Sequence, residues 1–136
     1  MTQHRLPIRV YYEDTDLAGL VYYANYLKFI ERGRSEWVRE MGIDQATLKA
    51  DTGAVFAVSR VVADYIRPAH YDDELTVLST IASLSPARVV FAQTVLRGEA
   101  RLFHADVTVV FLNAKGRPQR LPAALVSLHD VAKDRV

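Results

Sequence analysis

The sequence contains no cysteine. Disulfides, thiolate metal sites and cysteine nucleophiles are thereby excluded, and the absence fits a reducing compartment. No stretch approaches the roughly 20 apolar residues of a membrane span. The first residues, Met1 to Pro7, carry one arginine and no apolar run. They do not read as a secretory signal. A soluble, cytoplasmic protein is the expectation. Charge of one sign is also lacking: 17 Lys and Arg stand against 16 Asp and Glu, a net charge of +1. That balance leaves no basic footprint for nucleic acid. A small anionic ligand held by a few local arginines stays open.

Motifs of several hydrolase classes are missing too. His4, His70, His104 and His129 are scattered, and no pair has the H-x-x-x-H spacing of a metal site. No metal is expected. No serine sits in a G-x-S-x-G elbow, and no glycine-rich phosphate loop occurs. Repeats, low-complexity tracts and internal boundaries are absent, so residues 1–136 read as one domain. With 50% hydrophobic residues the chain has material for one core. At this size oligomerisation would help to bury more surface.

The periodicity assigns the elements. Ile8 to Tyr12 alternates as a first strand. From about Val21 to Met41 the period changes: Tyr26, Ile30, Gly33, Trp37 and Met41 recur at spacings of three and four. This is an amphipathic helix. Gly33 weakens its middle by roughly 1 kcal/mol relative to alanine, which implies close packing against a sheet. Gly42 stops it. Asp44 caps a short second helix to Ala50. Four strands follow. Val55 to Tyr65, Leu75 to Ile81, Val89 to Val95 and Phe103 to Phe111, each read at every second residue, form one face of each, with Leu102 on the opposite face from Phe103. Pro122 to Lys133 suits a terminal helix. Short connections favour antiparallel neighbours. The segregated order indicates an α+β protein, a curved antiparallel five-stranded sheet wrapped around one long helix.

The acidic loop Glu13 to Asp16 is the most informative segment. A strand ends, carboxylates follow, Gly19 permits an unusual backbone, and a helix begins. Backbone amides without partners at a helix start favour anions and polarised oxygens. A carboxylate beside them can attack a carbonyl, or activate water against it, while the amides hold its oxygen. A solvated turn or helix cap uses the same residues.

Val10-Tyr11-Tyr12-Glu13-Asp14-Thr15-Asp16, then Gly19-Leu20-Val21-Tyr22-Tyr23-Ala24-Asn25-Tyr26 and Phe29-Ile30-Glu31-Arg32-Gly33-Arg34, resemble the signature of hotdog-fold acyl-CoA thioesterases. The likeness is to the bacterial Tol–Pal-associated branch and to the 4-hydroxybenzoyl-CoA thioesterase branch. Asp64-Tyr65-Ile66-Arg67-Pro68-Ala69 with Asp72-Asp73 also fits. The resemblance implies that Asp16 is the catalytic carboxylate and that the Tyr23 amide polarises the thioester carbonyl, with Gly19 shaping the loop. The Tol–Pal-associated branch commonly has histidine where this chain has Tyr23, so a mechanism needing that imidazole is unavailable. Whether Asp16 acts as general base or as nucleophile stays open.

The resemblance further implies that Arg88, Arg117 and Arg120 contact the CoA phosphates, for which a guanidinium is chemically suited. A solvated surface arginine is the alternative for each. Asn25 caps the helix or orients Asp16. Glu13 and Asp14 read as loop or capping carboxylates, Tyr22 as a packing residue, His104 as a core or interface residue, and Glu31 with Arg34 as a structural ion pair. The implied activity is hydrolysis of a short-chain or aromatic acyl-CoA, or of an acyl carrier protein thioester. No cofactor is required, because CoA is part of the substrate. The implied assembly is a homotetramer of dimers. Two competitors are a dehydratase or hydratase of acyl thioesters, which would want a histidine in this loop, and a non-catalytic acyl-CoA or acyl-carrier-protein binding adaptor in envelope or phospholipid metabolism.

Overall fold

The computed structural model describes residues 2–134. Five strands form one antiparallel sheet in the order β1-β3-β4-β5-β2. They are β1 (Gln3–Arg9), β2 (Val55–Tyr65), β3 (Glu74–Ser85), β4 (Arg88–Arg97) and β5 (Ala100–Leu112). Helix α1 (Asn25–Glu40) lies against the sheet, α2 (Gln45–Thr52) precedes β2, and α3 (Ala123–Asp134) ends the described chain. This is the hotdog arrangement that the resemblance implies.

Helix α1 buries Tyr26, Phe29, Ile30, Gly33, Trp37 and Val38, the stripe expected of a 3.6-residue period. Gly33 is where helix and sheet come closest. A Cβ there would lie 2.7 Å from Val77 Cγ1 and 3.3 Å from Gln93 Nε2. Below it is a buried polar post. Gln93 Nε2 donates to the Ile30 carbonyl and to Ser79 Oγ, both at 2.8 Å, and Arg34 Nη1 donates to Gln93 Oε1 at 2.9 Å. Arg34 therefore does not pair with Glu31, whose carboxylate accepts from Ser35 instead. Burial lowers the Arg34 pKa, and a neutral amide oxygen is the acceptor that receives it. Asp44 caps α2 as its sequence suggests, accepting from the Thr47 amide at 3.1 Å.

Several boundaries differ from the sequence reading, and α1 begins at Asn25 rather than near Val21, because Val21 is held in a bridge to Thr15 and the Tyr22 carbonyl closes a turn with the Asn25 amide. The first strand starts earlier and ends at Arg9, paired from Gln3 opposite Thr80 to Arg9 opposite Glu74. Tyr12 belongs to a short 3₁₀ turn, Tyr12–Asp14, because the Asp14 carboxylate takes the Tyr11 amide at 2.8 Å and bends the chain. Pro7 is tolerated in β1 because that strand is an edge. On β5, strict alternation places Leu102 outside. The register shifts between Val95 and Leu96, skipping Leu102, so Leu102 and Phe103 are both fully buried.

Candidate active site

The loop between β1 and α1 is a small folded unit. Its Thr15 and Val21 bridge, and Leu20 bridges to His70 beyond β2. The Val21 amide donates to the Ala69 carbonyl at 2.8 Å, and the Ala69 amide donates to the Tyr26 hydroxyl at 3.0 Å. Asp73 anchors the same segment. Its carboxylate accepts from the His70 amide and from Arg97, both at 2.8 Å. Burial pushes the Asp73 carboxyl up, but these donors outweigh it and hold it below the usual carboxylate range.

The two aspartates spaced by two residues separate completely. Asp14 is buried, at 4% exposure. Besides the Tyr11 amide it accepts Asn25 Nδ2 at 2.6 Å, and its carbonyl accepts the Tyr22 amide at 2.9 Å. Asp16 is exposed. Its Oδ1 accepts from the Ala18 amide at 2.9 Å and from Leu20 at 3.3 Å, which orients the side chain and, among the described residues, leaves Oδ2 without a protein donor. Gly19 closes the turn with φ +77° and donates to the Asp16 carbonyl at 3.0 Å. Only glycine adopts that backbone without strain.

Asp16 and Tyr23 line one cleft of about 240 Å³, with Leu20, Tyr26, Tyr65 and Arg67. Residue 24 is the N-cap of α1 and makes no side-chain cap. Among the described residues, the amides of Tyr23 and Ala24 donate to no protein acceptor. A free carboxylate and a residue at the helix start whose amide is unpartnered, Tyr23, therefore share one cleft, and the Ala24 amide follows in the chain. Such a set can activate water, or attack directly, at a carbonyl whose oxygen the amides stabilise. A larger groove of about 430 Å³ runs between α1 and β2, lined by Ile30, Arg34, Val58 and Val61 among others. It contains neither Asp16 nor these amides, so volume is the poorer guide here.

Not every candidate gathers in this cleft. Asn25 is buried and its side chain goes to Asp14, not to Asp16 or the helix cap. Arg88 opens β4 opposite Val110. Arg117 and Arg120 lie in the return segment, which bonds back to Phe111 and to Pro86. All three arginines are exposed, and none pairs with a carboxylate among the described residues. They share one end of β5, whereas Tyr65 of the Asp16 cleft sits opposite Phe103 at the other. Seven residues of strand separate those ends, ~23 Å at the usual rise. Tyr22 is half-exposed and tilted against Tyr23. His104 is half-buried, with Nδ1 2.9 Å from Thr94 Oγ1. His129 lies outside the residues whose side chains are described. Tyr65 went unnoticed as a site residue, although it stands in the Asp64–Ala69 segment that carried the resemblance.

A family model described as the thioesterase-like superfamily matches residues 10–129. The chain belongs to the thioesterase-like superfamily. The acyl-CoA thioester hydrolase YbgC of Escherichia coli is 39% identical over 93% of this thioesterase and 95% of its own length. A crystal structure described as a probable thioesterase from Bartonella henselae is also 39% identical, with a TM-score of 0.84 over 88% of this chain and 99% of that one. A 4-hydroxybenzoyl-CoA thioesterase superposes with a TM-score of 0.87 at 22% identity, covering 94% of this chain and 99% of that one. That likeness is one of fold. Among the described residues, no helix of this thioesterase is long and apolar enough to cross a membrane.

Proposed function

We propose that this thioesterase hydrolyses acyl-CoA, with Asp16 as its working carboxylate. The observation that carries the reading is the meeting of Asp16 in one cleft with Tyr23, whose amide at the helix start is unpartnered. In the general-base route Asp16 takes a proton from water, and the oxygen adds to the thioester carbonyl. The Tyr23 amide holds the resulting oxyanion. Collapse breaks the C–S bond, and the CoA thiolate leaves and takes up a proton. In the nucleophilic route Asp16 itself adds and expels the thiolate, and water then hydrolyses the mixed anhydride. Neither route uses a histidine at position 23. The cleft is small and edged by the rings of Tyr23, Tyr26 and Tyr65, which supports short-chain or aromatic acyl groups. Acyl carrier protein is the alternative donor. The cysteine-free sequence suits a cytoplasmic enzyme.

Assembly supports the role we assign to the arginines. Edge strand β2 has 11 residues and leaves Val58, Val61 and Val62 exposed. Such an edge is a template for another strand. Pairing β2 with its own copy about a two-fold axis is antiparallel and self-complementary. It brings the Arg88, Arg117 and Arg120 end of one copy toward the Asp16 end of the other. CoA phosphates would then be held across the interface, and two such dimers would form the tetramer. The deciding experiment is thiol release from a panel of aliphatic and aromatic acyl-CoAs, run beside Asp16→Asn. Turnover by the parent and loss in the variant are expected. Binding of acyl-CoA without thiol release would favour the adaptor reading.

A further inference from the structure

The peptides that begin α1 are unusual in where their carbonyls go. The Tyr22 carbonyl accepts the Asn25 amide at 2.8 Å, a tight turn ahead of the helix. The Leu27 amide donates to Ala24, three residues back, at 3.2 Å. The Tyr23 carbonyl is thereby left out of the helical ladder. Its partner is a side chain from another element: the Tyr65 hydroxyl, at the end of edge strand β2, donates to it at 2.8 Å. Tyr65 is half-exposed at its rim yet well fixed. Its ring stands edge-on to Tyr26 and Phe103, with centroids 5.6 and 5.0 Å away, and Tyr26 stacks on Phe103.

Each amide nitrogen shares its peptide plane with the preceding carbonyl. A bond to the Tyr22 carbonyl therefore fixes the Tyr23 N–H, and a bond to the Tyr23 carbonyl fixes the Ala24 N–H. Hydrogen bonding at a carbonyl also polarises its peptide and strengthens the N–H as a donor. We infer that Tyr65 is a positioning residue: its hydroxyl locks the Tyr23–Ala24 peptide so that the Ala24 amide serves as a second donor to the thioester oxygen, beside that of Tyr23. The inference rests on the thioesterase reading of this cleft. Burial and the neighbouring phenols of Tyr23 and Tyr26 push the Tyr65 hydroxyl above the usual tyrosine range, so it remains a donor at neutral pH. On the other peptide the same task falls to Asn25, whose own side chain is held by buried Asp14.

The test is Tyr65→Phe, which removes one oxygen and keeps the ring. Steady-state kinetics on an acyl-CoA that the parent hydrolyses are measured with amide hydrogen exchange at Ala24 in the ligand-free protein. The expected result is a roughly tenfold fall in kcat, smaller than the roughly 10²–10³-fold cost of deleting an oxyanion donor outright. KM should stay within about twofold and Ala24 should exchange faster. Thermal midpoints should agree within about 2 °C, as for one exposed bond. A purely structural role would not move kcat alone. An unchanged kcat overturns the inference, whatever the exchange rate. So does a rise in KM at constant kcat, which would make the phenol a substrate contact. Unaltered exchange at Ala24 overturns it as well. Retained turnover in Asp16→Asn would instead remove the parent reading, and the exchange arm would still decide whether Tyr65 holds the peptide.

Discussion

Asp14→Ala and Asp16→Ala should behave as opposites although the positions are two residues apart. Asp14 is buried and its carboxylate takes two donors, the Tyr11 amide at 2.8 Å and Asn25 Nδ2 at 2.6 Å. Hydrogen bonds to charged groups are worth about 1.5–3 kcal/mol each, and an orphaned buried amide adds a desolvation cost. Some of this is recovered because the buried charge is removed with its partners. A loss of about 3–5 kcal/mol is the result. For a chain of this length that corresponds to a fall in Tm of roughly 10–20 °C. Asp16 is exposed and its two amide contacts are open to water, so Asp16→Ala should move Tm by about 2 °C or less. Its effect should appear in kcat, by the roughly 10²–10⁴-fold typical of a lost general base. Calorimetry and a thiol-release assay on both proteins make the comparison. The reasoning is refuted if Asp14→Ala melts with the parent, or if Asp16→Ala retains turnover.

Gly33→Ala adds a methyl 2.7 Å from Val77, a fully buried and stiff side chain. Overpacking of about 1–3 kcal/mol is offset by about 1 kcal/mol of helix propensity, so chemical denaturation should show a net loss of up to about 2 kcal/mol. Arg88→Ala should raise KM for acyl-CoA more than for the matching acyl-pantetheine thioester, which lacks the distal phosphates; equal effects would argue against a phosphate contact. Asp73 has a depressed pKa in the folded state. Its contribution to stability is therefore complete above the unfolded carboxylate pKa of about 3.9 and is lost as pH falls through the lower folded value. Urea midpoints of the parent and Asp73→Asn should differ at pH 6, and the difference should shrink as pH falls below the unfolded carboxylate value.

The strand faces were legible because each buries one side, so a period of two is written into β3, β4 and β5. The helix stripe and the meaning of Gly33 were legible for the same reason. The start of β1 was not, because its covered face opens on a polar residue, His4, and Pro7 interrupts the run. Leu102 escaped because a bulge defeats a strict period. At the site, the resemblance picked out Asp16, while composition and spacing left Asp14 and Asp16 equivalent. Their difference is tertiary: burial, and an asparagine eleven residues on. Tyr65 is 42 residues from the carbonyl it holds, and no local pattern records such a contact.

The buried post formed by Gln93 carries a consequence for how accurately the chain aligns itself. Gln93 matches a specific backbone carbonyl, Ile30, to a specific sheet position beside Ser79. Sliding α1 by one residue would shift it by ~1.5 Å and offer Gln93 a different part of the helix. The unmet amide would then cost about 1–3 kcal/mol. An apolar contact in the same place would tolerate that slip far better. Two turns of helix away, at the other end of the ruler, lie the Tyr23 and Ala24 amides; in the role we propose for them, an error of ~1 Å would cost about a hundredfold in rate. A glutamine in the middle of the sheet thus acts as the zero mark against which the first turn of the helix is measured.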